Sequence, residues 1–202
     1  MRLLSFLTVG LTLALTLGGC ATSPPSPYQV SQPRLYHDDI ALAGRLSVNY
    51  DQYGKAQSLQ GKFSWTQTRE TTNIALLSPL GQTMAKIAVS PTAASLQLSG
   101  EPLRRAGSVS ELTTEALGWD LPVAGLRDWL QGFVRPASGT AVAATPDKPA
   151  EFSSEGWRIR YVSWQGDSAL RPYPKRIDME RQTSEAGMLA LRIVIDTWQP
   201  TK

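Results

Sequence analysis

Residues 73–89 read NIALLSPLGQTMAKIAV, two apolar runs on either side of the turn Ser78-Pro79-Leu80-Gly81. Ile74 and Leu76 before the turn, and Ala85, Ile87 and Val89 after it, fall at alternate positions, the spacing of strands with one buried face. Pro79 suits the second position of a type I turn and Gly81 the fourth, which leaves Leu80 at a corner that connecting loops normally expose. A leucine left in water forfeits roughly 1.5–3 kcal/mol that burial would recover. Either Leu80 folds back onto the core as a local cap, or it meets something apolar outside the domain.

The same period of two extends in both directions. Upstream, Leu42, Gly44, Leu46, Val48 and Tyr50 alternate with Arg45, Ser47 and Asn49. After a turn around Gly54, Leu59, Gly61, Phe63 and Trp65 alternate with Gln60, Lys62, Ser64 and Thr66. Downstream, Leu96 and Leu98 close the run before Gly100. Five consecutive strands joined by short polar turns make an antiparallel meander. The period then changes. Ser108 caps a helix running to Leu117, with Glu111 placed for a capping box and Val109, Leu112 and Ala116 on one face. Pro122 opens a second helix in which Val123, Leu126, Leu130 and Phe133 line one side, with Trp129 beside them and Gly132 near its end. Residues from Pro136 to Pro149 form a small-residue and proline loop.

Alternation resumes at Trp157, Ile159 and Tyr161, continues at Ile177 and Met179, and closes with Leu189, Leu191, Ile193 and Ile195. The fold class is therefore mainly β with short helices (α+β): one curved antiparallel sheet of roughly nine to eleven strands, its apolar concave face partly covered by two helices. About twenty helical residues leave more apolar sheet than they can fill, so the expected consequence is a hydrophobic cavity.

With 202 residues, 42% of them hydrophobic and 18% charged, the chain holds one sizeable core. Met1-Arg2 followed by the apolar stretch Leu3 to Leu17 is too short for a comfortable membrane span and reads as a signal peptide. Leu17-Gly18-Gly19-Cys20 resembles the lipobox of bacterial lipoprotein signals, which implies cleavage before Cys20 and a lipid on its sulfur. Cys20 is the single cysteine, so no intramolecular disulfide can form. Ala21 stands where inner-membrane lipoproteins of enterobacteria carry Asp, and by that analogy the destination is the outer membrane, lipid-anchored and facing the periplasm. Residues 1–19 are then signal peptide, 20–38 a lipidated N-terminus and Pro/Ser-rich tether, and 39–202 a single domain.

The formal charge of +3 falls to +2 when Arg2 leaves with the signal, which with the lack of Lys/Arg runs argues against nucleic acid. His37 is the only histidine and has no second His or Cys to share a metal, so no metal site and no catalytic set is expected. No phosphate-binding glycine loop is present either, and no cofactor is expected beyond the covalent lipid on Cys20.

Leu77-Ser78-Pro79-Leu80-Gly81-Gln82 after a Phe63-x-Trp65 strand, Leu121-Pro122 ahead of Leu126-Arg127-Asp128-Trp129-Leu130-Gln131-Gly132, and a closing Asp196-Thr197-Trp198 together resemble one family, the outer-membrane lipoprotein receptors of the bacterial lipoprotein localisation pathway (LolB). The resemblance covers nearly the whole mature chain. It implies a non-enzymatic carrier, an incomplete barrel with a helical lid over a hydrophobic cavity. Such a carrier accepts acylated lipoprotein cargo from a periplasmic LolA-like chaperone and places it in the inner leaflet of the outer membrane, as a monomer in contact with phospholipid.

By motif match, Leu80, flanked by Pro79 and Gly81, corresponds to the protruding apolar residue of the membrane step. Phe63, Trp65, Ile74, Leu76, Ile87, Val89, Leu126, Trp129, Leu130, Trp157, Ile159, Tyr161, Leu191 and Ile193 are the expected lining of the acyl-chain cavity. Arg104, Arg105, Arg158, Arg160, Arg171, Lys175 and Arg176 are either a solvated face or a patch for an acidic chaperone rim or anionic head groups. The competing function is a structural or assembly lipoprotein that scaffolds a complex.

Overall fold

The alternation that begins at Ile40 becomes six consecutive strands in the computed structural model: β1 (Ile40–Gln52), β2 (Lys55–Gln67), β3 (Thr72–Leu77), β4 (Thr83–Val89), β5 (Ala94–Leu98) and β6 (Arg104–Ala106). The structure describes residues 34–52, 54–136, 139–148, 151–166, 172–184 and 186–200. The residues read as signal peptide, Cys20 and most of those read as tether lie outside the described residues. Two helices follow, α1 (Val109–Leu117) and α2 (Val123–Trp129), then the short pair β7 (Phe133–Val134) and β8 (Val142–Ala143). The chain closes with β9 (Glu151–Ser154), β10 (Trp157–Gln165), β11 (Tyr173–Thr183) and β12 (Gly187–Pro200).

Ten strands form one antiparallel sheet in the order β6-β5-β4-β3-β2-β1-β12-β11-β10-β9. It consists of two meanders joined where the long strands β1 and β12 pair. The sheet curves but its end strands β6 and β9 do not pair with each other, so the barrel stays incomplete. The lining candidates on strands share the inner face, because strand register fixes side-chain facing at period two. In β2 the pattern turns cleanly from exposed Lys62, Ser64 and Thr66 to buried Phe63, Trp65 and Gln67.

Sequence expectation and structure part in several local elements: Phe133, expected on the second helix, stands in β7 beyond the end of α2 at Trp129, and the four-residue β9 was not expected. The segment from Pro136 to Pro149, expected as loop throughout, contributes β8, in which Val142 pairs with Val134 and Ala143 with Phe133. The Ala144 N–H also donates to Gly132 O at 2.9 Å and Ala144 is buried. Two paired residues are too few to show a period among so many small ones. Strand β6 was not expected either, since three residues cannot establish alternation.

The helices begin and end as their local chemistry dictates. The Ser108 hydroxyl accepts the Glu111 N–H at 3.3 Å, and Gly118, at φ 78°, closes α1 by donating its N–H to Thr114 O. Thr113, rather than a further apolar residue, is buried beside Leu112 because its hydroxyl bridges outward. It donates to Val109 O at 3.0 Å and accepts the Leu121 N–H at 3.1 Å, which ties α1 to the start of α2.

Gly44 sits at the irregularity where β1 shifts register against β12. A Cβ there would collide with the Val194 carbonyl and press on the Phe63 ring. Gly44→Ala should therefore cost about 1–3 kcal/mol, an overpacking penalty read as a lowered urea midpoint at unchanged slope. An unchanged midpoint would show that the two central strands can separate at no cost.

Candidate functional site

Helix α2 closes the inner face, and its seven residues divide their work. Val123, Leu126 and Trp129, with Leu130 just beyond, face the sheet and are buried. Arg127 faces the other way and reaches the β2–β3 connection, donating to Thr68 O and Thr72 Oγ1 at 2.6 Å and to Arg69 O and Thr71 O at 3.2 Å. Four residues on, the Gln131 side chain accepts the His37 N–H and donates to His37 O, both at 2.9 Å. The last residues read as tether thus clasp the end of the lid helix. Arg34 completes the clasp by donating to Pro172 O at 2.9 Å and Gly132 O at 3.1 Å, with its guanidinium 4.6 Å from the Trp164 ring centre. Burial pulls the Arg34 guanidinium down to about 10, still fully charged at neutral pH. Gly132, at φ 79°, leaves room for that guanidinium where a side chain would strike it.

Under the helix, twelve of the fourteen lining candidates are buried, and Leu76 and Val89 are half-buried against the same cluster. Trp129 and Trp157 meet at 6.3 Å between ring centres, and the Tyr161 hydroxyl donates to Trp129 O at 3.0 Å. Burial pushes the Tyr161 phenol far above its ordinary value, so it remains a donor at every physiological pH. The Trp65 indole N–H donates to Gln67, whose amide in turn donates to the Tyr36 hydroxyl. The Trp157 indole N–H is buried with no acceptor among the described residues.

The chamber expected beneath the helices is occupied by the candidates themselves. Trp129, Leu130, Trp157 and Ile159 are at most 1% exposed. A cleft of about 360 Å³ that opens to solvent is lined by Trp119, Asp120, Arg181 and their neighbours at the end of α1, and by none of these candidates. The difference is one of volume. Residue counts predicted a helical cover too small for the sheet, but Trp129 projecting from α2 onto Trp157 fills the shortfall with two indoles.

The turn shows the opposite arrangement. Gly81 N–H donates to Ser78 O, Ser78 N–H to Gln82 O and Gln82 N–H to the Ser78 hydroxyl, at 2.8, 2.8 and 3.2 Å. Gly81 adopts φ 89°. On this rigid frame Leu80 is 90% exposed and does not fold back onto the core.

Most of the basic residues singled out in the sequence are ion-paired. Arg104 bridges Glu101 and Glu115, Arg158 meets Glu180, and Arg160 and Arg176 both reach Asp178. Burial opposes ionisation of Asp178, but hydrogen bonds from Arg176 and Arg192 outweigh it and hold the carboxyl at about 2. Arg171 lies outside the described residues.

The roles of Arg34, Arg127 and Gln131 were missed at the level of sequence. Arg127 and Gln131 lie four apart, a spacing that on a helix marks a shared face but not its partner, and α2 ends at Trp129 before Gln131 is reached. Arg127→Ala should free α2 from the β2–β3 connection. The expected loss is about 1.5–3 kcal/mol of local stability, seen as faster amide exchange in residues 123–130 with the sheet still protected. Exchange unchanged in α2 would mean that apolar packing alone holds the helix.

The family model described as "Outer membrane lipoprotein LolB" matches residues 38–198. The outer-membrane lipoprotein LolB of Cupriavidus pinatubonensis is 40% identical, over 96% of this chain and 94% of the relative. That of Thiobacillus denitrificans is 40% identical over 96% and 97%. Among solved structures, a LolA superfamily protein from Nitrosomonas europaea superposes with a TM-score of 0.46 at 11% identity, covering 87% of this chain and 92% of the other.

Proposed function

The chain belongs to the LolB family of outer-membrane lipoproteins, and from that premise we propose that it receives the acyl chains of another lipoprotein beneath α2 and releases them to the bilayer at the Leu80 turn. Its place is the outer membrane and its role lies in lipoprotein localisation. The donor is a periplasmic LolA-like chaperone, the receiving surface is the phospholipid of the inner leaflet, and the protein acts as a monomer held by a lipid on Cys20. No chemical step and no cofactor is involved.

The observation that carries this reading is the pairing of a rigid, fully offered leucine with an apolar interior closed by one short helix. Helix α2 is fastened by polar contacts from Arg127 and, just past its end, Gln131, while its inner side presents only apolar residues. Lifting it exposes a face suited to hydrocarbon, and each methylene entering that face is favoured by about 0.8 kcal/mol. The buried indole N–H of Trp157 can donate to an ester or amide carbonyl of the incoming anchor. Delivery then follows a gradient of apolar affinity from chaperone to chamber to bilayer.

The test is a transfer assay. Lipidated protein in liposomes is given a complex of chaperone and acylated cargo, and the cargo is followed into the vesicle fraction. Cargo should leave the chaperone only when the protein is present. Cargo that stays with the chaperone, or that passes to bare liposomes equally fast, would overturn the proposal.

A further inference from the structure

On the outer face of the sheet a cleft of about 280 Å³ runs along β1, β2 and β12 and ends against Pro79. Its cations are Arg45, Lys62 and Arg192, Ser47 and Gln60 add polar groups, and no acidic side chain lines it. Lys62 has no carboxylate partner among the described residues. Asp196 grips Arg45 through two bonds of 3.0 Å and also meets Lys175 at 3.3 Å. Asp178 meets Arg160, Arg176 and Arg192 at 3.4, 2.7 and 3.0 Å. Five cations therefore stand around two carboxylates, and those carboxylates fix the guanidiniums in place without cancelling the charge.

The depth of the cleft matters as much as its sign. Lys62 pairs in register with Leu77, three residues before Leu80, so a strand rise of about 3.4 Å per residue places it no more than roughly 10 Å behind the tip. A bilayer's head-group layer is about 5–8 Å thick on each side of the hydrocarbon. With the leucine among acyl chains, Lys62 and Arg45 stand at the level of the phosphates.

We propose that this cleft seats the phosphate of an anionic phospholipid head group while Leu80 enters the acyl region, so that the turn reads lipid charge as well as lipid depth. The proposal rests on the membrane-facing reading of the turn. Arginines held from behind by carboxylates present their remaining N–H groups as a fixed fork, the geometry that suits phosphate oxygens. Lys62 supplies the unpaired charge.

The full lipidated chain is reconstituted into vesicles of three parts phosphatidylcholine to one part phosphatidylglycerol. The latter carries a photoreactive group either on its head group or midway along an acyl chain, and labelled residues are read by mass spectrometry. The head-group probe should label β1 and β2 around Lys62, and the acyl probe the Ser78–Gly81 turn. Lys62→Gln should cut head-group labelling about fivefold, the effect of one cation at an anionic surface. Adding Arg45→Gln should cut it further, and Lys62→Arg should retain it, all with acyl labelling unchanged. Head-group labelling that survives the double variant overturns the cleft. So does labelling abolished by millimolar inorganic phosphate, which would make the cleft a site for the free ion, or equal labelling by a phosphatidylcholine probe. Absence of both labels in the wild-type protein would instead remove the membrane-facing reading of Leu80.

Discussion

Leu80→Glu will fold, will take cargo from the chaperone, and will deliver it to liposomes at least about tenfold more slowly, because burying leucine in lipid is worth roughly 1.5–3 kcal/mol and each 1.4 kcal/mol is a factor of ten. Glutamate also brings a charge that must be neutralised or kept out of hydrocarbon, which adds to the deficit. The fold should not notice. The side chain is 90% exposed, and the turn is held by backbone bonds and by the Ser78 hydroxyl, all of which survive the change. Unfolding stability should stay within about 0.5 kcal/mol of the wild type, as for other exposed substitutions. Leu80→Met, apolar and similar in size, should deliver normally. Wild-type delivery by the glutamate variant would separate the turn from the membrane step and leave Leu80 without a function.

Trp129→Ala is expected to be the most damaging single truncation for the closed lid, at about 3–5 kcal/mol. The indole is 1% exposed, lies over Gly125 so closely that a Cβ there would strike the ring, and packs against Trp157. Removing it leaves a hole that a helix of seven residues cannot close by shifting. The loss should appear as a lower denaturant midpoint, and cargo acceptance, measured where the variant is still folded, should weaken because the largest apolar surface of α2 has gone. Gly125→Ala probes the same contact from the other side and should destabilise less, by about 1–3 kcal/mol, since the ring can tilt. Full acceptance by Trp129→Ala would remove this residue from the proposed lining.

What could be read from the sequence followed the reach of each signal. Alternation is local and strong, so the strands carrying Phe63, Trp65, Ile87, Trp157 and Ile193 were legible together with the face each residue takes. The Ser108 cap and the turn at Pro79 were legible for the same reason. The turn motif by itself left the position of Leu80 open, because it fixes backbone shape but not whether a side chain returns to the core; only the resemblance to the LolB family pointed to protrusion. Long-range polar bonds were invisible: Arg127 to Thr72, Gln131 to His37 and Arg34 to Pro172 join residues 55, 94 and 138 apart with no period to announce them. The tight filling of the interior was missed because helix length was taken as a measure of coverage, and two tryptophans cover more than their share of residues.

The end strands β6 and β9 are three and four residues long, carry Arg104, Arg105 and Glu151, and never meet. Short charged margins deter pairing with a stranger's strand. They also leave the ribbon without a hoop. A closed barrel has its girth set by strand number and stagger, whereas here a few degrees of added or removed twist at each step between neighbouring strands changes the aperture with every ladder bond kept. On the proposed reading, anchors of different bulk are then accommodated by one sequence, the gauge being adjusted by coiling of the sheet while its pairing stays the same.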